Sequence, residues 1–521
     1  MHSKFFARCA SIAIPILAIS TAPARAEVKL PPIFSDHMVL QRDMAVPVWG
    51  TASPGEKVTV TFRDQTKLAV AGPDGAWKLK LDPLKAGGPD TLEIKAGGTL
   101  TVNDVLVGEV WVGSGQSNMA YGVDFFAKAD PVLAAAAAGS YPQLRMAGGA
   151  RGQWKVATPE TSAKFSAQLF YFGLRLRKEL NVPVGLIVGA VGSTPSGNWL
   201  SPAMFEDSPA CMAGAAKADA AYNPEEAAKQ YDSQMEKWQP EADRARAANK
   251  PEPWGKPAKT GTPAEERAKV LGRQYGMHIA PIVPFGIRGV LWDQGENGTA
   301  VGGVSQSGLM EALISGWRKA WGQGDFAFIY VQKPSGRGCA FDPTNPLNTK
   351  ASAYAPLPDK PTGETDKYLQ YPTKVLDLPN TAMTITSDLG GGLHPENKSA
   401  YATRDADVAL GLVYGRKIEY YGPMYASRKI EGDKIRVHFT HIGKGLAFKH
   451  GEKLTGFTIA GKDRNYQWAD ARIEGPDVVL SCPGIKDPES VAYAWASRAP
   501  WANLFSLDGL PALPFRADSP Q

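Results

Sequence analysis

Residues 109–119 read EVWVGSGQSNM and are the most informative stretch of this chain. The apolar run that ends at Val112 predicts a buried strand, and Gly113 and Gly115 interrupt it before a segment compatible with a helix. This layout predicts that Ser117 lies on a tight turn between strand and helix. The free N–H groups and the positive dipole at a helix N-terminus stabilise an oxyanion. Ser117 is therefore a candidate nucleophile, and the competing interpretation is a Gly/Ser-rich connecting loop.

From about residue 105, buried strands alternate with amphipathic helices. This alternation predicts a parallel sheet with helices on both faces. The strand candidates are 105–112, 184–188, 289–292, 326–331 and 382–386, and the helical candidates are 164–180, 308–321 and 397–414. Ser117, Gln294 and His394 each follow a predicted strand. Open α/β sheets place their sites at that edge, so we expect the three side chains to lie close together.

Short strands with turn signals flank this central part on both sides. We predict an antiparallel β-sandwich over 27–104, a catalytic domain over 105–414 and a C-terminal antiparallel β-domain over 415–521. Within the catalytic domain, the Ala- and Lys-rich stretch 205–270 predicts a helical excursion. The stretch 333–372 is rich in Pro, Gly, Thr and Asn and predicts a long loop that covers the site.

The first residues have the three parts of a secretory signal peptide. Lys4 and Arg8 form a basic segment, residues 12–19 form a short apolar segment, and Ala24-Arg25-Ala26 forms the cleavage site. We therefore expect residues 1–26 to be removed and the mature protein to be periplasmic or extracellular. The apolar segment is too short to span a bilayer.

The net charge argues against two classes of binding partner. Subtracting the three positive charges of the signal segment (Lys4, Arg8 and Arg25) from the formal net charge of +5 leaves +2. This is too little to indicate nucleic acid or a membrane as a partner.

The mature chain keeps three cysteines, Cys211, Cys339 and Cys482, and no two of them have the spacing of metal ligands. Either one disulfide or three free thiols fits this number.

Several blocks of the chain, taken in order, resemble one family. The segment EVWVGSGQSNM (109–119) resembles the first sequence block of the SGNH hydrolases. Within that group, it resembles specifically the sialate O-acetylesterases and related carbohydrate acetylesterases. The further matching segments are FSDHMVLQR (34–42), PVGLI (183–187) with GST (192–194) and Trp199, GVLWDQGEN (289–297), LHPENK (393–398) and GLPALPFR (509–516). The resemblance implies an SGNH-hydrolase-like three-layer α/β/α core with a parallel sheet and a carbohydrate acetylesterase activity, without a metal or an organic cofactor.

An acyl-serine mechanism requires a base, an acid that orients the base, and donors for the oxyanion. Among the histidines, His394 sits in a loop after a buried strand, between glycines and a proline, and is the predicted base. A structural histidine that caps the next helix is the alternative. The resemblance implies an oxyanion hole formed by the backbone N–H groups of Ser117 and Gly192 and by the side-chain amide of Gln294, with Asn297 in reserve. A buried amide that bonds the loop backbone is the competing interpretation of Gln294.

The orienting acid is where the chain departs from the family pattern. SGNH hydrolases commonly carry an Asp three residues before the histidine, whereas this chain has Gly391 there. Asp388 is the nearest carboxylate and is the first candidate. Glu296 is the second candidate, and a Ser–His dyad with a backbone carbonyl on the imidazole is the third.

The sequence therefore predicts a secreted O-acetylesterase that acts on acetylated sugars, either sialic acid or a plant or microbial polysaccharide. The composition and motifs leave the oligomeric state open. One alternative is a non-catalytic carbohydrate-binding protein on a decayed esterase core. Another is a glycosidase that uses Glu296 and Asp388 as its carboxylate pair, which leaves Ser117 and His394 without a role.

Overall fold

The computed structural model describes residues 27–149, 152–253, 255–333, 335–361 and 375–518. The predicted signal peptide, 1–26, lies outside the described residues, as does part of the predicted long loop. Within the described ranges, no helix has both the length and the apolar character needed to cross a membrane.

A parallel sheet forms the centre of the molecule. Its strands lie in the order β13-β12-β11-β7-β10-β8, and β9 adds to the edge in the antiparallel direction. Their bounds are β7 Gly98–Gly115, β8 Tyr141–Ala147, β9 Lys155–Ala157, β10 Val184–Ala190, β11 Gly289–Asp293, β12 Ala327–Val331 and β13 Thr381–Thr384. Every residue of β11, β12 and β13 is buried, as expected for strands covered on both faces.

Helices cover both faces of this sheet. Those of the central region are α1 Ser117–Ala120, α2 Val123–Phe126, α3 Pro131–Ala137, α4 Pro159–Ala163, α5 Ala167–Leu180, α10 Gln306–Trp321 and α11 Lys398–Leu412. On one face, α5 packs so closely on β7 that a Cβ added at Gly113 would lie 2.7 Å from Leu169. On the other face, Trp292 of β11 meets Trp317 of α10 edge to face at 6.1 Å. The predicted three-layer α/β/α arrangement is confirmed.

An N-terminal set of strands, antiparallel except for the parallel pair of β1 with β7, continues directly into the central sheet. These strands are β1 Val39–Gln41, β2 Val46–Thr51, β3 Lys57–Phe62, β4 Gln65–Val70, β5 Ala76–Leu81 and β6 Gly87–Ala96. The strand β7 has 18 residues, pairs with β6 near its start and with β10 and β11 near its end, and so passes through the predicted boundary at residue 104. The N-terminal strands share one hydrophobic core with the α/β layers.

Helices fill the stretch where composition predicts an excursion. They are α6 Pro202–Glu206, α7 Pro209–Ala221, α8 Pro224–Ala247 and α9 Pro263–Val270. Each begins with a proline after a Ser, Asn or Thr whose side chain accepts a backbone N–H, a common helix start. The helices α6 and α7 pack against α10, which itself covers one face of the sheet.

The C-terminal part is antiparallel and has its own core. Its strands are β14 Met424–Glu431, β15 Lys434–Thr440, β16 Leu446–Phe448, β17 Phe457–Ala460, β18 Gln467–Trp468, β19 Asp470–Glu474, β20 Asp477–Ser481, β21 Ser490–Tyr493, β22 Leu504–Ser506 and β23 Phe515–Ala517. The Arg337 guanidinium donates to the carbonyls of Ala494 and Ala496 and so ties the segment after β12 to this part.

Cys211, Cys339 and Cys482 are free thiols, so the single disulfide that their number allowed is not formed. Burial raises the pKa of the Cys339 thiol to about 12.

Candidate active site

The turn between β7 and α1 is fixed by the neighbouring strand β11. Gly115 has φ +125°, and a Cβ added there would lie 2.2 Å from the Asp293 carbonyl oxygen, so this position requires glycine. The next backbone N–H, that of Gln116, donates to the same carbonyl at 3.0 Å. Ser117 follows as the first residue of α1 and is 6% exposed. The chain therefore presents Ser117 at the carboxyl edge of the central sheet.

The structure brings His394 to this serine. His394 Nε2 lies 2.9 Å from Ser117 Oγ, although 277 residues separate them along the chain. The imidazole lies against the rings of Tyr121 and Phe125, with centroid distances of 4.9 and 6.0 Å. A hydrogen bond from the serine hydroxyl to the imidazole is the geometry that activates a serine nucleophile.

The surroundings keep this imidazole neutral. Burial lowers the pKa of His394 below its usual 6.5, and the Lys398 ammonium lowers it further. The Glu296 carboxylate opposes part of this shift. A neutral imidazole at pH 7 is able to accept the proton of Ser117.

Two of the three predicted oxyanion donors, the backbone N–H groups of Ser117 and Gly192, belong to segments that lie side by side. A Cβ added at Gly192 would lie 3.6 Å from Ser117 Cβ, so the Gly192 backbone passes directly beside the nucleophile. Among the described residues, nothing accepts a hydrogen bond from the backbone N–H of either Ser117 or Gly192. Both donors therefore remain available to an oxyanion.

The third predicted donor is engaged elsewhere. Gln294 is fully buried, and its Nε2 donates to the carbonyls of Gly298 at 3.2 Å and Thr194 at 3.4 Å. Its oxygen lies 3.5 Å from Gln306 Nε2. The prediction that Gln294 supplies an oxyanion donor is thus corrected: this amide holds the two loops together, because their inward-facing carbonyls need donors. Asn297, the reserve candidate, is exposed on the adjoining turn.

The predicted orienting acid is also engaged elsewhere. Asp388 is fully buried and accepts two hydrogen bonds from the Arg404 guanidinium, at 2.6 and 3.1 Å. Such a bidentate pair satisfies a buried carboxylate, so Asp388 does not orient His394 in this structure. No side chain or carbonyl of the described residues hydrogen-bonds the second ring nitrogen of His394.

The second acid candidate, Glu296, lies beneath the nucleophile and does not bond the imidazole. It accepts from Lys333 Nζ at 2.6 Å, from Asn118 Nδ2 at 3.0 Å, and from the Gln116 amide. Burial alone would raise the pKa of Glu296, but the Lys333 ammonium outweighs it and the pKa is lowered. Glu296 therefore acts on His394 through its charge rather than through contact.

Asn118 is the residue that sequence reasoning missed. Its Nδ2 donates to the carbonyl of Leu393, next to the base, at 3.0 Å, and its Oδ1 accepts from Lys398 Nζ at 2.8 Å. One amide thus ties the nucleophile turn to the loop that carries His394. The signal was present, because Asn118 and Lys398 both lie inside the blocks around Ser117 and His394 that carry the resemblance, but a pattern does not show which side chains meet.

Two buried lysines complete this network. Lys333 bridges Asp293 and Glu296 with 2.6 Å contacts to each, and these carboxylates raise its pKa despite burial. Lys398 is fully buried, and burial lowers its pKa to about 8. Its ammonium lies 4.9 Å from the Phe126 ring, a distance at which the ring face attracts the charge.

The chain is similar to known acetylesterases over most of its length. Sialate O-acetylesterase of Homo sapiens is 25% identical over 93% of this chain and 91% of its own length. The rat enzyme of that name is 28% identical over 92% and 93%. The crystal structure of a carbohydrate acetylesterase from Xanthomonas citri superposes with a TM-score of 0.72 at 27% identity, covering 95% of this chain and all of that one. No protein-family profile matches the chain.

Over nearly its whole length, the chain is thus similar to sialate O-acetylesterases and to a carbohydrate acetylesterase. The resemblance predicted from the blocks is confirmed, and so is the SGNH-like fold class. The predicted enzyme class, a serine ester hydrolase, agrees with the names of these relatives.

The backbone at position 391, where the sequence has Gly in place of the expected Asp, lies close to a neighbouring segment. A Cβ added at Gly391 would lie 3.0 Å from the Gly336 carbonyl oxygen and 3.2 Å from that of Ser335. The histidine loop therefore crosses the backbone of the segment after β12 closely. A side chain at position 391 requires this backbone to move by a few tenths of an ångström.

A cleft adjoins the site on this side. It has a volume of about 520 Å³ and is lined by Glu296, Gly392 and, from the facing segments, Lys350 and Arg498. This volume is in the range of small-molecule binding sites. Among the described residues, no group of three or more His, Cys, Asp or Glu side chains is arranged to hold a metal ion.

Proposed function

We propose that this protein is a carbohydrate O-acetylesterase that works through an acyl-serine intermediate. The single observation that carries the proposal is the 2.9 Å hydrogen bond between His394 Nε2 and Ser117 Oγ at the carboxyl edge of the sheet. The names of the relatives support the acetyl group and the sugar as the substrate class.

In the proposed reaction, Ser117 Oγ attacks the acetyl carbonyl carbon while His394 accepts the hydroxyl proton. The backbone N–H groups of Ser117 and Gly192 donate to the oxyanion of the tetrahedral intermediate. Collapse breaks the bond to the sugar oxygen, and His394 returns its proton to that oxygen. Water, deprotonated by His394, then attacks the acetyl-serine and releases acetate.

The base in this reaction works as a dyad with the serine. Glu296 supports the imidazolium through its charge across the network of Asn118 and Lys333, in place of a carboxylate in direct contact. The glycosidase alternative lacks its second carboxylate, because Asp388 is buried against Arg404.

Covalent labelling tests the mechanism. We expect a serine-directed inhibitor to abolish hydrolysis of p-nitrophenyl acetate and to leave its adduct on the peptide that contains Ser117. Replacement of the exposed Ser140 by Ala is the matched control and leaves both results unchanged. Hydrolysis that persists with no adduct at Ser117 would overturn the assignment of the nucleophile, and absence of hydrolysis in the unmodified protein would favour the non-catalytic alternative.

The substrate is proposed as an acetylated plant or microbial glycan, with O-acetylated sialic acid as the alternative. Acetate release from acetylated xylan, acetylated xyloglucan and O-acetylated sialosides, measured side by side, distinguishes the two. A preference for the sialosides would overturn the first choice.

Secretion is the remaining part of the proposal. The basic, apolar and Ala-x-Ala segments of residues 1–26 support export to the periplasm or beyond. We expect the intact mass of the exported protein to correspond to a chain that begins at Glu27.

A further inference from the structure

A second cavity, of about 290 Å³, lies in the C-terminal part on the sheet of order β18-β17-β21-β23. One row of directly paired residues crosses all four strands: Trp468, Thr458, Ala492 and Arg516. Residues paired in this way share one face of a sheet. The two central residues are small and the outer two are large, so the row forms a hollow with Thr458 and Ala492 as its floor.

The opposite face of the same strands is the core of this part. Phe457 pairs with Tyr493 and Ile459 with Val491, and all four side chains are buried in the C-terminal hydrophobic cluster. The hollow is therefore on the outer face, supported from below by a packed core.

Aromatic rings form the walls of the hollow. Trp468 and Trp501 meet edge to face with centroids 4.8 Å apart, and Tyr466 and Trp495 line the remaining sides. Arg516 lies 4.8 Å from the centre of the Tyr466 ring. Rings held by such contacts lose little freedom when a ligand stacks on them.

Polar groups lie among these rings. The Thr458 hydroxyl and the exposed Asn465 amide have no side-chain hydrogen-bond partner within the part of the chain that the structure describes. The charge of Arg516 is offset by Asp518, which accepts from its Nε at 2.9 Å. Arg464 also lines the cavity, which thus combines apolar rings, uncharged donors and acceptors, and two guanidinium groups.

We propose that this cavity binds a neutral pyranose ring of an oligosaccharide, as a site separate from the hydrolytic one. The apolar C–H face of a sugar stacks on aromatic rings, while its hydroxyls pair with groups such as Thr458 and Asn465. The volume lies at the lower end of small-ligand pockets, which suits one ring rather than a long segment. No residue of the cavity belongs to the network around Ser117.

Calorimetric titration of the full chain with xylohexaose, cellohexaose and N-acetylneuraminic acid tests the proposal. We expect at least one neutral hexasaccharide to bind. Ala492→Phe, which fills the hollow, should weaken that binding more than about 10-fold, because the occupied floor leaves no room for the ring. Thr458→Val keeps the shape of the side chain and should weaken binding by about 2- to 10-fold through the lost hydrogen bond.

Arg472→Ala, on the exposed edge strand β19 outside the cavity, is the matched control and leaves binding unchanged. Hydrolysis of p-nitrophenyl acetate by all three variants should equal that of the unmodified protein. This second readout separates failure of the esterase proposal from failure of this one. Absence of binding to both neutral probes, binding of N-acetylneuraminic acid alone, or unchanged binding in both Ala492→Phe and Thr458→Val would overturn the proposal.

Discussion

The turn that carries Ser117 and the loop that carries His394 both follow a strand of the central sheet, yet they are held in different ways. The serine turn is fixed by local structure, since Gly115 presses on the Asp293 carbonyl and the Gln116 N–H donates to it. The histidine loop begins with three glycines, and Leu393 is 65% exposed.

The turn that carries Ser117 therefore positions His394, rather than contacts within the loop of His394 itself. The Asn118 amide reaches from the serine turn to the Leu393 carbonyl, and no carboxylate of the described residues takes over that role. The comparison indicates that the serine turn holds His394 in place through Asn118. Variants of these residues test that conclusion, and their expected effects on turnover decrease in the following order.

Loss of either member of the dyad has the largest effect. Ser117→Ala and His394→Ala should each lower kcat for p-nitrophenyl acetate by roughly 10⁴-fold, because the two groups act as one unit. The double variant should fall no further. An additive loss in the double variant would mean that the serine and the histidine act independently.

Loss of the connecting amide comes next. Asn118→Ala should lower kcat by about 10²-fold with little change in KM, because the base shifts relative to the serine while the cleft is kept. Asn397→Ala is the matched control: its amide holds the same loop to the Leu347 carbonyl at 2.9 Å, away from the serine turn. A drop in kcat of equal size in the control would assign the effect to general loosening of the loop.

Replacement of the buried carboxylate separates stability from catalysis. Asp388→Asn should reduce the free energy of unfolding by about 3 kcal/mol or more, because it leaves the Arg404 charge without its partner. The folded variant should lose less than about tenfold in kcat. A loss near 10⁴-fold, the size reported for removing an orienting Asp from a serine triad, would restore Asp388 to that role.

The pH profile gives the smallest and most specific effect. The base acts while neutral, and because burial lowers the pKa of His394, activity should persist below pH 6.5 and disappear as pH falls through the lowered pKa. Glu296→Gln removes a charge that raises this pKa, so the acid limb of kcat/KM should move to still lower pH. Glu396→Gln, in the exposed part of the loop, is the control and should leave the limb in place. A shift toward higher pH in Glu296→Gln would contradict the assigned charge effect.

The two incorrect side-chain roles share one physical cause. Gln294 and Asp388 both lie next to the predicted sheet edge, as their positions in the blocks indicate, yet their polar groups are taken by Gly298 and Arg404. A buried amide or carboxylate bonds whichever donor or acceptor the packing brings nearest. That choice is made by segments distant in sequence and is absent from the spacing of residues within a block.

The sequence alone determined the alternation of strands and helices, the turn that presents Ser117 and the pairing of its block with that of His394. These features follow from hydrophobic periodicity and from glycines at positions without room for a side chain, and both are local properties of the chain. Only the tertiary structure decided that Asn118 ties the serine turn to the loop of His394, that Gly391 lies close against the Gly336 backbone, and that a row of four residues makes a hollow in the C-terminal sheet. Each of these depends on how closely two remote segments approach, which is set by the packing of the whole core.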